Sequence, residues 1–337
     1  MKEAAFYSSK DSSKIQCQLC NHYCLIGPDK TGICRTRQNK SGVLYSLIYD
    51  KVFHGQVDPI EKKPLFHFLP GSYTYGVSTV GCNFRCQQCL NWSLSQADGR
   101  SVAILPDVRP EVIVRQAQLA NCQSISFTYN EPTLNTEYNY EVMQLAHQQG
   151  LKNVWVSNGY MTAEVLKYLA PALDAVNIDL KAFTQKYYKT VCQARLQPIL
   201  ENLKLIKKLN IWLEVTTLII PTLNDSVAEL KAIAKFIFKE LGTDTPWHVS
   251  KFSPKISWRL QHLSPTSEAK IKEAYQIGKQ AGLKYVYGGN VQNTQLENTY
   301  CSVCNQLTIK RGFYNLERQD INGCCPKCGS GLDLILG

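Results

Sequence analysis

The sequence predicts an α/β fold built on a parallel sheet, with a small cysteine-rich module at each end of the chain. Three observations carry this expectation. Between about residues 73 and 290, short β-type runs alternate with helical runs. Polar residues cluster where those β-type runs end. Fourteen cysteines are present, and all but Cys122 and Cys192 fall into three tight groups.

The strands are expected at Tyr73–Thr79, Ser124–Tyr129, Asn153–Ser157, Ala175–Leu180, Ile211–Ile219, His248–Phe252 and Lys284–Tyr287. Helical patterns separate them. The clearest starts at Ser226, whose spacing to Glu229 reads as a capping box. Leu230, Ile233, Ala234, Ile237, Phe238 and Leu241 then share one face, and Gly242 ends it. Repeated βα units of this kind give a parallel sheet, as an open or closed barrel or a doubly wound sheet. The segments of about 1–70 and 291–337 lack this rhythm, so the chain divides into an N-terminal module (1–70), a βα body (71–290) and a C-terminal module (291–337).

The polar exceptions share one location. Glu131 follows the second strand; Ser157, Asn158 and Gly159 end the third; Asp179 and Lys181 end the fourth. Thr216 and Thr217 lie late in the fifth, and Asn290 follows the seventh. Parallel α/β folds place their sites at the carboxyl ends of the strands. Ser124, Ser126 and Thr128 share one strand face, as do Asn177 and Asp179, so the interior of the sheet is polar. A polar interior fits a bound polar ligand; capping of the following helices is the alternative for any single residue.

The three cysteine groups differ in chemistry. Cys301, Cys304, Cys325 and Cys328 form two C-x2-C knuckles, the spacing of a structural zinc site, with a rubredoxin-like iron site as the alternative. Cys324 is a bystander. Cys17, Cys20, Cys24 and Cys34 form a second four-cysteine set, for which zinc is the default and a second iron–sulfur cluster the alternative. His22 lies inside that set as a hydrogen-bonding residue rather than a ligand. The central group, Cys82, Cys86 and Cys89, has only three thiols, spaced C-x3-C-x2-C. Three thiolates hold three irons of a [4Fe–4S] cluster and leave the fourth for a substrate or cofactor; a zinc completed by a distant residue is the bland reading.

The formal charge of +10 invites a nucleic-acid partner. Metallated thiolates would reduce it to about +5, because a three-thiolate cubane carries about −1 and a four-thiolate zinc about −2. The chain shows no apolar run of the roughly 18 residues a membrane span needs, and MKEAAFYSSKDSSK lacks the apolar core of a signal peptide. The expectation is a soluble cytoplasmic protein without membrane contact.

C-x3-C-x2-C after the first strand of a βα barrel resembles the radical S-adenosylmethionine (SAM) enzymes. The likeness implies a partial (β/α) barrel in which Cys82, Cys86 and Cys89 carry a catalytic [4Fe–4S] cluster. It also implies that SAM chelates the open iron and is cleaved to a 5′-deoxyadenosyl radical. TYNEP at 128–132 is similar to the family's cofactor-amine segment, making Thr128, Asn130 and Glu131 cofactor-binding, with Glu131 an acceptor for the SAM ammonium. VSNGY at 156–160 resembles the ribose-contacting segment, with Ser157 and Asn158. DLK at 179–181 and PWH at 246–248 resemble segments of the pyruvate formate-lyase activating enzymes, implying that Asp179, Lys181 and His248 hold the amino-acid end of SAM.

VDPIEKKPLFHFLPG, LIIPTLNDS, PWHVSKFSP and YVYGGN occur in the same order as in the AmmeMemoRadiSam-system radical SAM enzymes, relatives of the activating enzymes. That resemblance implies Memo- and AMMECR-like partners, a flavodoxin- or ferredoxin-type electron donor and an unidentified substrate, possibly a protein. Gln88 stands where the superfamily usually has an aromatic residue near the adenine. VDPIEKKPLFHFLPG is expected to pack over the barrel mouth as a linker with Lys62 and Lys63 solvated; taken as a group, Asp58, Glu61, Lys62, Lys63 and His67 are the alternative lining of a substrate entrance. Two other functions compete: a glycyl-radical-enzyme activase, and a zinc-stapled nucleic-acid-binding protein without catalysis.

Overall fold

The computed structural model describes residues 1–10, 13–292, 294–312 and 315–337. Its centre is one eight-stranded sheet: β1 (Phe53–Pro59), β2 (Tyr73–Ser78), β3 (Ser124–Phe127), β4 (Lys152–Ser157), β5 (Ala175–Asp179), β6 (Trp212–Ile219), β7 (Trp247–Lys251) and β8 (Val286–Gly289). The spatial order is β8-β7-β6-β5-β4-β3-β2-β1. Strands β2 to β8 run parallel, and β1 joins the edge antiparallel to β2. Sequential neighbours throughout make this an open, partial (β/α) barrel. All seven expected strands are present within two residues of their expected ends. The largest shift is β8, which continues through Gly288 and Gly289, paired with Val249 and Ser250, rather than stopping before the glycines.

Six helices cover the outer face: α1 (Pro110–Leu119), α2 (Thr136–Gln148), α3 (Ala163–Leu169), α4 (Gln197–Lys208), α5 (Val227–Phe236) and α6 (Glu268–Gln280). Pro110 opens α1, where its missing N–H costs nothing. Thr162, Ser226 and Ser267 cap α3, α5 and α6 through their hydroxyls. The box at Ser226 is only half made. Ser226 Oγ accepts from Glu229 N at 3.2 Å, but the Glu229 carboxylate turns to the backbone N–H of Phe183. That ties α5 to the loop after β5 instead of to its own cap. A wider turn, Ile237–Leu241, follows α5 before Gly242 stops it.

Side-chain alternation splits every strand. Tyr75, Val77, Ile125, Phe127, Trp155, Val176, Ile178, Leu213, Val215, Trp247, Val249 and Val286 join the helices in one continuous apolar core. The opposite parity faces the interior of the barrel and carries Thr74, Ser124, Ser126, Asn177, Glu214, Thr216, His248, Ser250 and Tyr287.

The N-terminal module contains two small antiparallel sheets. Ala4, Ile15, Leu19, Leu44 and Ile48 extend the same apolar core, and Arg37, fully buried, pairs with Glu137 of α2 at 2.6 Å. The module lies at the carboxyl ends of the strands: Asn21 N donates to Tyr160 O at 3.0 Å, and Cys20 bridges Met161 beyond β4. The C-terminal module has its own sheet of Thr299–Tyr300, Leu307–Gly312 and Asn315–Arg318.

Residues 60–71 do not cover the mouth. Because β1 runs antiparallel to β2, with Pro59 opposite Tyr73, the chain leaves β1 at the amino ends of the parallel strands. Ile60, Leu65, Phe68 and Leu69 close that floor against Val154, Ala175 and Trp212. The C-terminal module packs beneath: Phe68 bridges Ile335, and Arg311 Nη2 donates to Phe66 O at 2.7 Å. The expected substrate-entrance group is therefore on the wrong side. Lys63 is buried with Asp58 at 2.7 Å, Glu61 accepts from Gly71 N, and His67 lies within the floor. Among the described residues, no helix is long and apolar enough to cross a membrane.

Candidate functional site

The loop after β2 carries Cys82, Cys86 and Cys89, and it is fixed from several sides. Gly81 N donates to Leu94 O at 3.0 Å, Arg85 N to Cys192 O at 2.9 Å and Gln87 N to Val191 O at 3.0 Å. Gly81 has φ +89°, and a Cβ there would lie 2.4 Å from Thr36 Cγ2 and 3.1 Å from Cys34 O. Only glycine admits so close an approach of the N-terminal module. The sulfurs receive donors: Phe84 N at 3.3 Å and Asn158 Nδ2 at 3.8 Å to Cys82, and a contact of 3.2 Å between Cys89 and Ser95 Oγ. Burial pushes the Cys82 and Cys89 thiols up, while contact with the Cys192 thiol, then burial, pushes up Cys86. A metal reverses that preference by taking the thiolate.

The three thiols open onto a cleft of about 280 Å³ at the carboxyl ends of all seven parallel strands. After β3 come Thr128, Tyr129, Asn130 and Glu131; after β4, Ser157 and Asn158; from β5, Asp179 and Lys181. Thr216 and Leu218 of β6, Ser250 of β7 and Asn290 complete it, with Gln88 beside the cysteines.

Several of these side chains hold each other. Glu131 is buried, and burial raises its carboxyl. Its oxygens accept from Thr133 N (3.1 Å), Thr133 Oγ1 (2.6 Å), Ser157 Oγ (2.8 Å) and Asn158 N (2.9 Å). Three of these donors meet Oε1 and only Asn158 N meets Oε2, so the carboxylate braces β3 against β4 while Oε2, on a cleft-lining residue, keeps room for a further donor. Asn130 also braces: its Oδ1 accepts from Thr79 N at 3.0 Å, and its Nδ2 donates to Gly81 O at 3.2 Å, fixing the root of the cysteine loop. Asn158 Nδ2 donates to Asn83 Oδ1 at 2.7 Å. Lys181 Nζ meets Asp179 Oδ2 at 2.8 Å. Burial alone would lower Lys181, but Asp179 and the nearby thiols outweigh it and keep the ammonium charged.

His248 is a correction. It shares a face with Ser250, but lies two residues earlier on β7 and therefore one layer deeper. Its Nε2 meets Glu214 Oε2 at 2.7 Å, and its ring stacks on Tyr287 at 5.3 Å. Glu214 also accepts from Phe66 N, His67 N and Trp212 Nε1. His248 thus belongs to the floor, not the cleft. Thr217 points outward, taking the indole N–H of Trp247 at 3.0 Å. His22 Nε2 meets Asn83 O at 2.7 Å, a hydrogen-bonding role as expected. Tyr129, Ser250, Asn91 and Gln96 were not singled out from the sequence, and only the parity of Ser250 on its strand marked it. Cys192, outside the three cysteine groups, is buried and packs against Cys86 and Gln88.

The C-terminal cysteines converge. The four sulfurs lie within 4.8 Å of one another, with Cys301–Cys328 and Cys304–Cys325 both at 3.6 Å. Bonds of about 2.3 Å to a tetrahedral zinc require about 3.8 Å between sulfurs, so this set fits one ion. Cys324 stands outside it.

Comparison with known proteins defines the class. Residues 77–237 match the radical SAM superfamily model, so the chain carries a radical SAM domain and is an enzyme of radical chemistry. A relative of full length is the uncharacterised protein MJ0808 of Methanocaldococcus jannaschii, 42% identical over 339 residues and covering 100% of both chains. A putative glycyl-radical enzyme activating enzyme of the same organism, MJ1632, is 27% identical over 212 residues, covering 62% of this chain and 76% of the relative. A radical SAM methyltransferase from Sphaerobacter thermophilus shares the fold, with TM-score 0.50, 13% identity, and coverage of 91% of this chain and 80% of its own.

The superfamily implies a [4Fe–4S] cluster and S-adenosylmethionine, and the residues fit both. Three thiols face a cleft with a charged Lys181–Asp179 pair. Gln88 Oε1 and Thr216 Oγ1, both on cleft-lining residues, are buried without a protein partner. Such orphaned groups mark where a polar ligand belongs.

Proposed function

We propose that this enzyme binds S-adenosylmethionine in the cleft and uses it to abstract hydrogen from an as yet unidentified substrate. When bound, the cluster supplies the electron that cleaves the sulfonium to a 5′-deoxyadenosyl radical. Cys82, Cys86 and Cys89 hold the cluster, and the N–H and O–H groups around Cys82 and Cys89 tune it. Lys181 binds the carboxylate and Asp179 the ammonium, since each carries the opposite charge. Ser157 and Asn158 border the ribose, and Gln88 offers an amide where an aromatic would pack. Glu131 positions this set through Ser157 and Asn158. The observation carrying the proposal is the three-thiol loop opening onto a cleft with an ammonium–carboxylate pair.

The order of sequence segments supports membership of the AmmeMemoRadiSam system, with Memo- and AMMECR-like partners and a flavodoxin- or ferredoxin-type donor. A zinc in the C-terminal module completes the proposal. The likeness to a putative glycyl-radical enzyme activating enzyme favours a second reading, in which the substrate is a backbone glycine of a partner protein. The test is anaerobic: reconstitute with iron and sulfide, reduce, add SAM, and measure 5′-deoxyadenosine by mass spectrometry. Product that is lost in Cys82→Ala is the expected result. No product from a protein with a confirmed, reducible cluster would sink the proposal. A glycyl radical seen by electron paramagnetic resonance on an added partner would select the second reading.

A further inference from the structure

Tyr129 holds a backbone conformation that its side chain disfavours. Its φ is +70°, in the left-handed region that bulky residues rarely enter. Asn130 N donates to Thr128 O at 2.9 Å, closing a three-residue turn with Tyr129 at its centre. With positive φ this is the strained form of that turn. Glycine would adopt it at no steric cost, so contacts of the tyrosine side chain must offset the strain.

Those contacts lie in the barrel interior. The ring passes over Gly76 of β2, where an added Cβ would stand 3.5 Å from Tyr129 Cε2 and 3.1 Å from Gln56 O. The hydroxyl donates to Asp58 Oδ2 at 2.6 Å, a short bond of the charge-assisted kind. Lys63 Nζ donates to the same hydroxyl at 3.0 Å, meets Asp58 Oδ2 at 2.7 Å and stands 4.5 Å from the ring centroid. Asp58 and Lys63 are both buried. A buried ion pair contributes little net stability, so its use lies in what it holds.

On the other side of the turn the chain enters the site. Tyr129 itself lines the cleft. Asn130 Oδ1 accepts from Thr79 N, and its Nδ2 donates to Gly81 O at the root of the cysteine loop. Glu131 accepts from Ser157 Oγ and Asn158 N, and Asn158 Nδ2 lies 3.8 Å from Cys82 Sγ. One strained residue thus stands between an anchor in the interior and the two side chains that set the cysteine loop and the end of β4.

We propose that Tyr129 is a positioning residue for cofactor binding. The Asp58–Lys63 pair grips its hydroxyl, which fixes the strained turn and through it Asn130, Glu131, Ser157 and Asn158. The inference rests on the cofactor reading above, and the response of the parent protein to SAM separates the two.

Tyr129→Phe keeps the ring and removes the hydroxyl. Parent and variant are reconstituted anaerobically with iron and sulfide and reduced. SAM is titrated against the electron paramagnetic resonance signal of the cluster. Amide hydrogen exchange over 128–133 and 157–159 is followed by mass spectrometry, with iron content and thermal midpoint recorded alongside. The expected result is a rise of about tenfold in the SAM dissociation constant, the scale of one lost hydrogen bond to a charged group, at the parent's iron content. Exchange in both segments should quicken; unchanged exchange would overturn the anchored turn. A role in packing alone would lower the thermal midpoint and leave SAM affinity as it was. Tyr129→Gly, which relieves the strain, is the second variant and carries the same expectation if Tyr129→Phe does not fold. SAM binding at the parent's affinity in either variant would overturn the proposal alone. A parent whose signal ignores SAM would overturn the cofactor reading and the proposal with it.

Discussion

Acidification from pH 7 to pH 5 is expected to destabilise the barrel floor by about 1.8 kcal/mol through one residue, His67. Its Nδ1 faces two backbone carbonyls, Leu332 O at 3.1 Å and Asp333 O at 3.2 Å, so Nδ1 carries the proton. Nε2 lies 2.6 Å from Tyr287 Oη and accepts from it. Burial, with Arg311 nearby, lowers His67 from 6.5 to about 4, although Glu214 opposes the shift. The unfolded chain binds a proton between those values and the folded chain does not. Stability is therefore full above about pH 6.5 and falls as pH drops toward about 4. At about 1.4 kcal/mol per tenfold, the complete loss is about 3.4 kcal/mol, of which about 1.8 accrues between pH 7 and pH 5. Burial raises Glu214, but its bond to His248 outweighs that and lowers it, so its contribution fails only at more acidic pH. The assay is anaerobic urea unfolding at both pH values, read by tryptophan fluorescence, since Trp212 stacks 6.3 Å from His67. The His67→Gln variant should lack about this much of the pH dependence. Equal pH dependence in both proteins, or a gain in stability on acidification, would refute the reasoning.

Two further outcomes are expected. Gly81→Ala forces a Cβ to 2.4 Å from Thr36 Cγ2 at φ +89° and should cost about 2–4 kcal/mol. Adding Thr36→Ser, which removes that methyl, should return part of the loss in thermal unfolding, and a Gly81→Ala protein as stable as its parent would contradict the contact. Cys301→Ala should release about one zinc per chain, measured by elemental analysis, and loosen the module held through Arg311 and Asp333. Unchanged zinc would rule out that site.

The parallel strands were legible because each is a short β-type run between amphipathic helices, and their polar ends marked the cleft side. Cysteine spacing marked three groups, but the convergence of the four C-terminal sulfurs on one point depends on how loops distant in sequence fold. The depth of His248 was illegible for a related reason. Parity gives the face of a strand, not the layer, and the layer was settled by Glu214 on the neighbouring strand. The segment 57–71 looked like a mouth lining because it is rich in reactive side chains. Its true place follows from the antiparallel direction of β1, a strand the sequence pattern did not reveal. Glu131 was correctly placed at a strand end, but two of its four internal donors, Ser157 Oγ and Asn158 N, come from the end of the neighbouring strand.

The floor built from residues 60–71 and the C-terminal module closes the barrel at the amino ends of its strands. Nothing can be threaded along its axis. A small molecule must enter and leave from the carboxyl-end side or between the two unjoined edge strands. A macromolecule must offer its reactive atom on a loop, a tip or a chain end long enough to reach down to the thiols. Whatever the substrate is, its shape is constrained by the chain that seals the opposite end.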